Sequence, residues 1–206
     1  PCQFAVRRAV NVLFITSSRI GDAVLSTGIL DHIVRTHPGA AITVVCGPLA
    51  ASLFEGVPGL RAVIALKKRS YHRHWLGLWL RTAGTRWDMV VDLRDSAVSR
   101  LVRAQQRFIF SPRIDQSLHK VEQAAAVMTL GYVPAPRLWF TEEQKRKAAL
   151  LVPAGAPVLG IGPTANWIGK TWPAERFIEV VSTITAPDGM MPRARVAVFA
   201  APGEEE

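Results

Sequence analysis

Short apolar runs alternate with longer segments of helical periodicity along most of the chain. The first run, residues 11–15, has four apolar residues in five and predicts a buried parallel strand. A short polar turn follows, and apolar residues then recur at helical spacing as far as His37-Pro38-Gly39. This pattern predicts a helix with Ser18 or Asp22 as its N-cap. The turn therefore lies at the carboxyl end of a strand, where open α/β sheets bind their ligands.

The same alternation continues through the next hundred residues. Further strands are predicted at residues 41–46, 61–66, 89–93 and 107–110. Helices are predicted between or after them at residues 48–53, 75–81, 97–104 and 121–130. Strands that alternate with helices in this way predict an α/β fold with a doubly wound, parallel, Rossmann-like sheet.

The pattern changes after residue 133, where prolines flank a charged helix predicted at residues 142–151. Such a segment is typical of a connection between domains. Beyond it, strands at residues 158–161 and 195–199 enclose a helix at residues 175–184, which Pro173 opens. We predict a domain at residues 1–140, a connection at 141–155, and the beginning of a second domain at 156–206. Two strands cannot bury both faces of a sheet, so we expect the second domain to be incomplete.

The formal charge of +9 calls for an anionic partner, such as a phosphate-rich ligand, an anionic membrane or a nucleic acid, unless it is a solvated basic surface. Residues 67–75 hold four Lys or Arg and two His in nine residues. Trp75 and Trp79 beside them suit a membrane interface as well as a core. The aromatic residues fall mostly inside apolar segments, which disfavours a nucleic-acid groove.

No apolar run is long enough to span a bilayer, and the first residues lack a signal-peptide pattern, so we expect a soluble intracellular protein. Two cysteines, Cys2 and Cys46, form neither a disulfide framework nor a metal-ligand set, and we expect reduced thiols.

Two loops follow predicted strands and precede predicted helices, the place where phosphate-binding motifs occur. The turn after the first strand lacks G-x-G-x-x-G. The loop from Gly162 to Thr171 follows a strand and precedes a helix, as a P-loop does, but six residues separate its glycines instead of four. Lys170 nevertheless stands close before a helix N-terminus, which attracts anions, although it could also be a solvated loop lysine. Thr164, Asn166 and Thr171 could bond phosphate or cap the loop.

Four segments together resemble glycosyltransferase family 9, the ADP-heptose lipopolysaccharide heptosyltransferases. They are the turn Ser17-Ser18-Arg19-Ile20-Gly21-Asp22, the strand end Val91-Asp92-Leu93, the loop 162–170 with the following residues 172–177, and Ala201-Pro202-Gly203-Glu204. The resemblance implies a GT-B fold, with an N-terminal domain for the acceptor and a C-terminal domain for the nucleotide sugar. It also implies an inverting reaction that needs neither a metal nor a cofactor. Family members continue through an Asp-Thr-Gly-Pro-type nucleotide-binding motif, which this sequence lacks.

The resemblance also implies roles for individual residues. Asp22 matches the general base, although a plain helix cap is the alternative, and Lys170 matches a lysine that contacts the donor phosphate. Thr164, Asn166 and Thr171 are further candidates for the donor. Acceptor contacts are expected from Ser17, Ser18, Lys67, Lys68, Arg69, Arg73, Asp92 and Arg94. For the basic residues the alternatives are a solvated face or a membrane patch, and for Asp92 and Arg94 a buried salt bridge.

Two functions remain open from the sequence. The first is a transferase that moves a heptose or related sugar from an ADP-activated donor to the lipopolysaccharide inner core or a similar glycolipid. Such an enzyme would lie in the cytoplasm, peripheral at the inner face of the inner membrane. We expect the 206-residue chain alone to be inactive, because its donor half is incomplete. The second function is a non-catalytic module that binds the acceptor without turnover.

Overall fold

The computed structural model describes residues 9–67, 73–165 and 168–200. The chain forms two compact units, Pro1–Thr141 and Glu142–Glu206. The charged helix predicted at residues 142–151 lies in the second of these units.

The first unit contains a five-stranded parallel sheet with the strand order β3-β2-β1-β4-β5. Its strands are β1 (Asn11–Ile15), β2 (Ala41–Cys46), β3 (Leu60–Ala65), β4 (Trp87–Asp92) and β5 (Ala104–Ile109). Its helices are α1 (Ile20–Thr36), α2 (Arg73–Thr82), α3 (Ala97–Leu101) and α4 (Lys120–Val127), with a 3₁₀ helix at Pro48–Phe54. The predicted α/β class and doubly wound sheet are confirmed.

Both faces of this sheet are covered by apolar side chains. Phe14 of β1 belongs to a core that includes Leu30 of α1 and Phe54 of the 3₁₀ helix. Its neighbour Leu13 belongs to a second core, with Leu78 of α2 on the opposite face. Successive residues of a strand point to opposite faces, so β1 has to be apolar at consecutive positions.

Two predictions about helix ends were wrong. The N-cap of α1 is Arg19, whose side chain makes no capping hydrogen bond, so neither Ser18 nor Asp22 caps this helix. Helix α3 ends at Leu101 instead of residue 104, because Val102 is extended and β5 already begins at Ala104. Ala104 pairs with Trp87 at the start of β4, and this pairing favours the strand over another helical turn.

The last segment of the first unit is anchored to α1. The backbone N–H of Arg137 donates to Oγ1 of Thr27 at 2.9 Å, and its guanidinium pairs with Asp31 at 3.2 Å. Asp31 also pairs with Arg35 at 2.8 Å. A residue with a side chain at position 28 would meet the carbonyl oxygen of Pro134, so Gly28 allows this close approach.

The second unit contains α5 (Glu142–Leu151), β6 (Val158–Ile161), a 3₁₀ helix at Ile168–Lys170, α6 (Ala174–Thr185) and β7 (Arg195–Val198). Strands β6 and β7 form a parallel two-stranded sheet. No residue of α5 or α6 is buried, and large apolar side chains such as Leu150, Ile178 and Phe199 are exposed. None of the helices in the described ranges is both long and apolar enough to cross a bilayer.

Candidate functional site

A cavity of about 250 Å³ lies at the carboxyl ends of β1 and β4 in the first unit. The strand order reverses between these two strands, and open α/β sheets bind ligands at such a point. The lining comes from the loops after β1, β4 and β5 and from α1 and α4. It includes Ser17, Asp22, Leu25, Arg94, Phe110 and Lys120.

Asp22 lies in the first turn of α1 and is partly buried. Its Oδ2 accepts a long hydrogen bond of 3.4 Å from the Ser17 hydroxyl, and Ser17 Oγ also accepts the backbone N–H of Arg19 at 3.2 Å. A carboxylate can accept about four hydrogen bonds, so this one keeps capacity for a ligand hydroxyl. The alternative role for Asp22, a plain helix cap, does not hold, because Arg19 is the N-cap of α1.

Buried hydroxyl groups fix the turn that carries Asp22. Thr16 donates to Ser26 at 2.7 Å, and Ser26 donates to the carbonyl oxygen of Ala23 at 2.7 Å. The end of β1 is thereby bonded to the first turns of α1. Ser18 does not line the cavity and packs against Gly47 after β2, where an added Cβ would lie 2.5 Å from the Ser18 Cα.

Asp92 is fully buried at the end of β4. Its Oδ1 accepts the backbone N–H of Arg94 at 2.8 Å, and its Oδ2 accepts the N–H and the hydroxyl of Ser96 at 2.8 and 2.5 Å. Among the described residues Asp92 forms no ion pair, so the salt-bridge alternative does not hold. Asp92 shapes the loop that brings Arg94 to the cavity.

Arg94 is exposed and follows the end of β4, across the switch point from Asp22, and both residues line the same cavity. Its guanidinium carbon is 5.4 Å from the centre of the Trp75 ring, within cation–π range. No carboxylate pairs with it in the part of the chain that the structure describes. The Arg94 charge is therefore available to an anionic ligand in the cavity.

Sequence reasoning missed Lys120 and Gln123, which complete the wall formed by α4. Lys120 Nζ donates to Gln123 Oε1 at 3.0 Å. Gln123 is buried, and its Nε2 donates to the carbonyl oxygens of Gln116 and Leu118 at 3.2 and 2.8 Å. These bonds attach the loop after β5 to α4. The rule that strand ends share one edge could have found Lys120, but nine residues lie between it and the end of the predicted strand.

The basic cluster that the sequence indicated does not join this cavity in the described residues. Lys67 is exposed after β3, the edge strand two positions from β1, and lines a separate cavity of about 150 Å³ with His74 and Arg81. Lys68 and Arg69 lie outside the described residues. Arg73 begins α2, and its side chain also lies outside them.

The predicted donor residues of the second unit follow the carboxyl end of β6. Lys170 and Thr171 are exposed and Thr164 is partly buried, whereas Asn166 lies outside the described residues. Helix α6 begins at Ala174, with Pro173 as an N-cap that makes no side-chain hydrogen bond. The first N–H groups of a helix have no intrahelical partner, so this terminus can attract an anion.

The described residues contain no group of three His, Cys, Asp or Glu that could hold a metal ion. Cys46 is a buried thiol, and burial raises its pKa to about 11. A thiol with so high a pKa is almost fully protonated at neutral pH and is a poor nucleophile. Cys2 lies outside the described residues.

No family model and no curated protein sequence matches the chain. Its fold does match solved structures. A glycosyl transferase of family 9 from Veillonella parvula has a TM-score of 0.72 at 18% identity over 94% of this chain, which spans 63% of that protein. E. coli heptosyltransferase WaaC with ADP has a TM-score of 0.67 at 17% identity, over 95% of this chain and 70% of that one. E. coli ADP-heptose lps heptosyltransferase II has a TM-score of 0.66 at 17% identity, over 94% and 65%.

These likenesses establish the fold. The chain has the α/β fold of the solved glycosyltransferase family 9 and heptosyltransferase structures, as the sequence resemblance implied. It spans between 63% and 70% of their length.

Proposed function

We propose that this chain supplies the acceptor-binding part of an inverting glycosyltransferase. The observation that carries the proposal is the Asp22 carboxylate, which is partly buried, does not cap its helix, and shares a cavity with Arg94 and Lys120. A base next to cations suits an acceptor that is a sugar with a carboxylate or phosphate group. The shared fold supports the reaction class, since the similar proteins are glycosyl transferases by name.

In the proposed reaction Asp22 accepts the proton of an acceptor hydroxyl as its oxygen attacks the anomeric carbon of the donor sugar. The bond between that carbon and the diphosphate breaks, and the diphosphate leaves with the electron pair. Arg94 and Lys120 hold the acceptor's anionic group through charge-assisted hydrogen bonds. Ser17 orients the Asp22 carboxylate. Ser18 and Asp92 would act mainly through the loops that they shape.

For the donor we propose an ADP-activated heptose or related sugar. One similar structure is E. coli heptosyltransferase WaaC with ADP-2-deoxy-2-fluoro heptose, at a TM-score of 0.68 and 17% identity. Lys170 and the N-terminus of α6 would stabilise the departing diphosphate, with hydrogen bonds from Thr164, Asn166 and Thr171. The acceptor would be the lipopolysaccharide inner core or a similar anionic glycolipid.

The basic segment of Lys67, Lys68, Arg69 and Arg73 would contact the acceptor, an anionic membrane, or both. This would keep the protein at the cytoplasmic face of the inner membrane. Each Lys or Arg near an anionic membrane surface contributes about 1 kcal/mol to binding. Replacing all four with Ser should therefore weaken binding to vesicles that contain phosphatidylglycerol, and wild-type binding should fall as salt rises. Vesicle binding that changes neither with the four substitutions nor with salt concentration would refute this role.

Titration calorimetry with a phosphorylated inner-core oligosaccharide tests the cavity itself. Arg94→Gln and Lys120→Gln should each weaken binding about tenfold, because a hydrogen bond to a charged group contributes about 1.5–3 kcal/mol. Lys147→Gln, an exposed lysine of α5, is the matched control and should change nothing. Equal affinities for all four chains would refute the assignment of the acceptor.

The second candidate function is an acceptor-binding module without turnover. The second unit favours this candidate. Its sheet has two strands, and Lys170 is exposed, so an ion pair of Lys170 with a donor phosphate would contribute little binding free energy by itself. This candidate predicts the same acceptor binding but no sugar transfer from any ADP-sugar. A transfer assay in the longest natural form of the protein distinguishes the two.

A further inference from the structure

Three arginines line a cavity of about 450 Å³ at the amino ends of β4 and β5. Arg86 precedes β4, Arg103 precedes β5, and Arg107 belongs to β5. The Asp22 cavity lies at the other ends of the same strands. Asp92 comes six positions after Arg86, which corresponds to roughly 20 Å along the strand. The arginine cavity is therefore separate from the site proposed for sugar transfer.

Arg107 is held in place by backbone oxygen atoms. Its Nε donates to the carbonyl of Ser99 at 3.1 Å, one terminal nitrogen donates to Ala104 at 3.1 Å, and the other donates to Val102 at 2.7 Å. Carbonyl groups orient the guanidinium but do not neutralise its charge. A guanidinium has five N–H donors, so two remain for a ligand.

Arg86 and Arg103 are neighbours on adjacent strands. The residues that follow them, Trp87 and Ala104, are paired in the sheet, and the Trp87 N–H donates to the Arg103 carbonyl at 2.9 Å. The two backbones are therefore about 4.8 Å apart, the spacing of adjacent strands. The Trp87 indole also donates to Thr82 at 3.0 Å, which attaches this edge to α2.

Carboxylates do not neutralise these arginines within the described ranges. The ion pairs formed there use Asp31, Asp95, Glu142 and Glu179, and none includes Arg86, Arg103 or Arg107. Asp88, two residues after Arg86, accepts the backbone N–H of Asn11 at 2.8 Å. Like charges this close raise the local positive potential, which a bound anion would lower.

We propose that this cavity is a second anion site, which binds a phosphoryl group. Guanidinium groups match phosphate oxygens with paired hydrogen bonds, and Arg107 is already oriented, so little conformational entropy is lost on binding. The phosphoryl group could come from a soluble phosphate ester or from a lipid headgroup, which share this chemistry. The proposal does not depend on sugar transfer.

Titration of the chain with inorganic pyrophosphate tests the site. Arg86→Gln/Arg103→Gln should weaken binding at least about tenfold, as expected for the loss of a charge-assisted contact. Arg107 is left intact because it holds the end of α3. Arg61→Gln, an exposed arginine of edge strand β3, is the matched control and should bind like wild type. Thermal unfolding of each variant verifies the fold.

Two further arms identify the source of the phosphoryl group and exclude the first cavity. Arg94→Gln/Lys120→Gln should retain the part of the pyrophosphate binding that Arg86→Gln/Arg103→Gln loses. Sedimentation with phosphatidylglycerol and phosphatidylcholine vesicles tests whether a lipid headgroup is the ligand. Loss of vesicle binding in Arg86→Gln/Arg103→Gln, but not in Arg94→Gln/Lys120→Gln, would support the site with a lipid as its ligand. Pyrophosphate and vesicle binding that are both absent, or both equal in wild type and the double variant, would overturn the proposal.

Discussion

The two units are built from the same strand-helix-strand pattern but bury very different amounts of it. In the first unit residues 12–15 of β1 are fully buried, because two neighbouring strands and helices on both faces surround them. In the second unit, among the residues that the structure describes, β6 and β7 pair only with each other, and α6 buries none of its residues. Local pattern therefore specifies the elements in both units, whereas burial depends on how many elements surround them.

The same difference separates the candidate residues of the first unit from those of the second. Asp22 stands on a turn that the buried Thr16 and Ser26 hydroxyls fix, and the buried Gln123 fixes the opposite wall. Lys170 is exposed on a three-residue 3₁₀ helix. Catalytic groups need positions fixed by surrounding side chains, and within the described residues only the Asp22 cavity has this support.

The largest expected effect is the loss of turnover when the carboxylate of the first unit is replaced. Asp22→Asn should lower kcat by about 10²–10⁴ while it leaves acceptor affinity nearly unchanged, since the amide keeps the shape but cannot accept the proton. The measurement is sugar transfer by the longest natural form of the protein, with titration of the acceptor beside it. Ser17→Ala, which removes only an orienting bond, should lower kcat much less. Turnover close to wild type in Asp22→Asn would reject the base.

Paired truncations test the difference in burial. Phe14→Ala, in the first core, should lower the free energy of unfolding by about 3–5 kcal/mol through lost burial and the cavity left behind. Ile178→Ala removes a side chain of α6 that is 64% exposed, and should change the free energy of unfolding by no more than about 0.5 kcal/mol. Urea unfolding followed by circular dichroism measures both. Similar losses in the two variants would mean that the second unit has a core of its own.

A third prediction concerns the donor side. The Arg86→Gln/Arg103→Gln chain should bind ADP no more tightly than about 1 mM, because an exposed ion pair to Lys170 contributes roughly 0–1 kcal/mol and micromolar affinity needs about 8 kcal/mol. Titration calorimetry measures the affinity, with Lys170→Ala in the same background as the control. Micromolar binding of ADP that Lys170→Ala abolishes would mean that the second unit forms a donor site with Lys170.

Sequence reasoning predicted the elements better than the site. The bounds of β1, β2, β6 and α5 agree with the structure, and each of these elements is followed within two residues by Ser, Gly or Pro, which mark its end. The N-cap of α1 was mispredicted because Ser18 and Asp22 both have capping side chains. Contacts distant in sequence, such as Ser18 with Gly47, decide their positions instead. Lys120 and Gln123 were missed because their position also depends on contacts distant in sequence. The sequence of the loop before α4 does not indicate that this helix lies beside the end of β1.

The smallest expected effect lies inside the first unit and depends on pH. His32 Nδ1 is 2.7 Å from the Tyr132 hydroxyl, which links α1 to the segment after α4. Partial burial is the main cause that lowers the pKa of His32 below 6.5; Arg35 and His37 lower it further, and Asp31 opposes them.

A lowered pKa in the folded state means that the unfolded chain binds this proton more readily. The contribution of His32 to stability is therefore fully present above pH 6.5 and is lost as pH falls through the lower folded pKa. His32→Gln should reduce the loss of stability between about pH 8 and about pH 5, measured by urea unfolding. Tyr132→Phe should keep most of that loss, since burial and the two cations remain. The same pH dependence in His32→Gln and wild type would assign the effect to other groups.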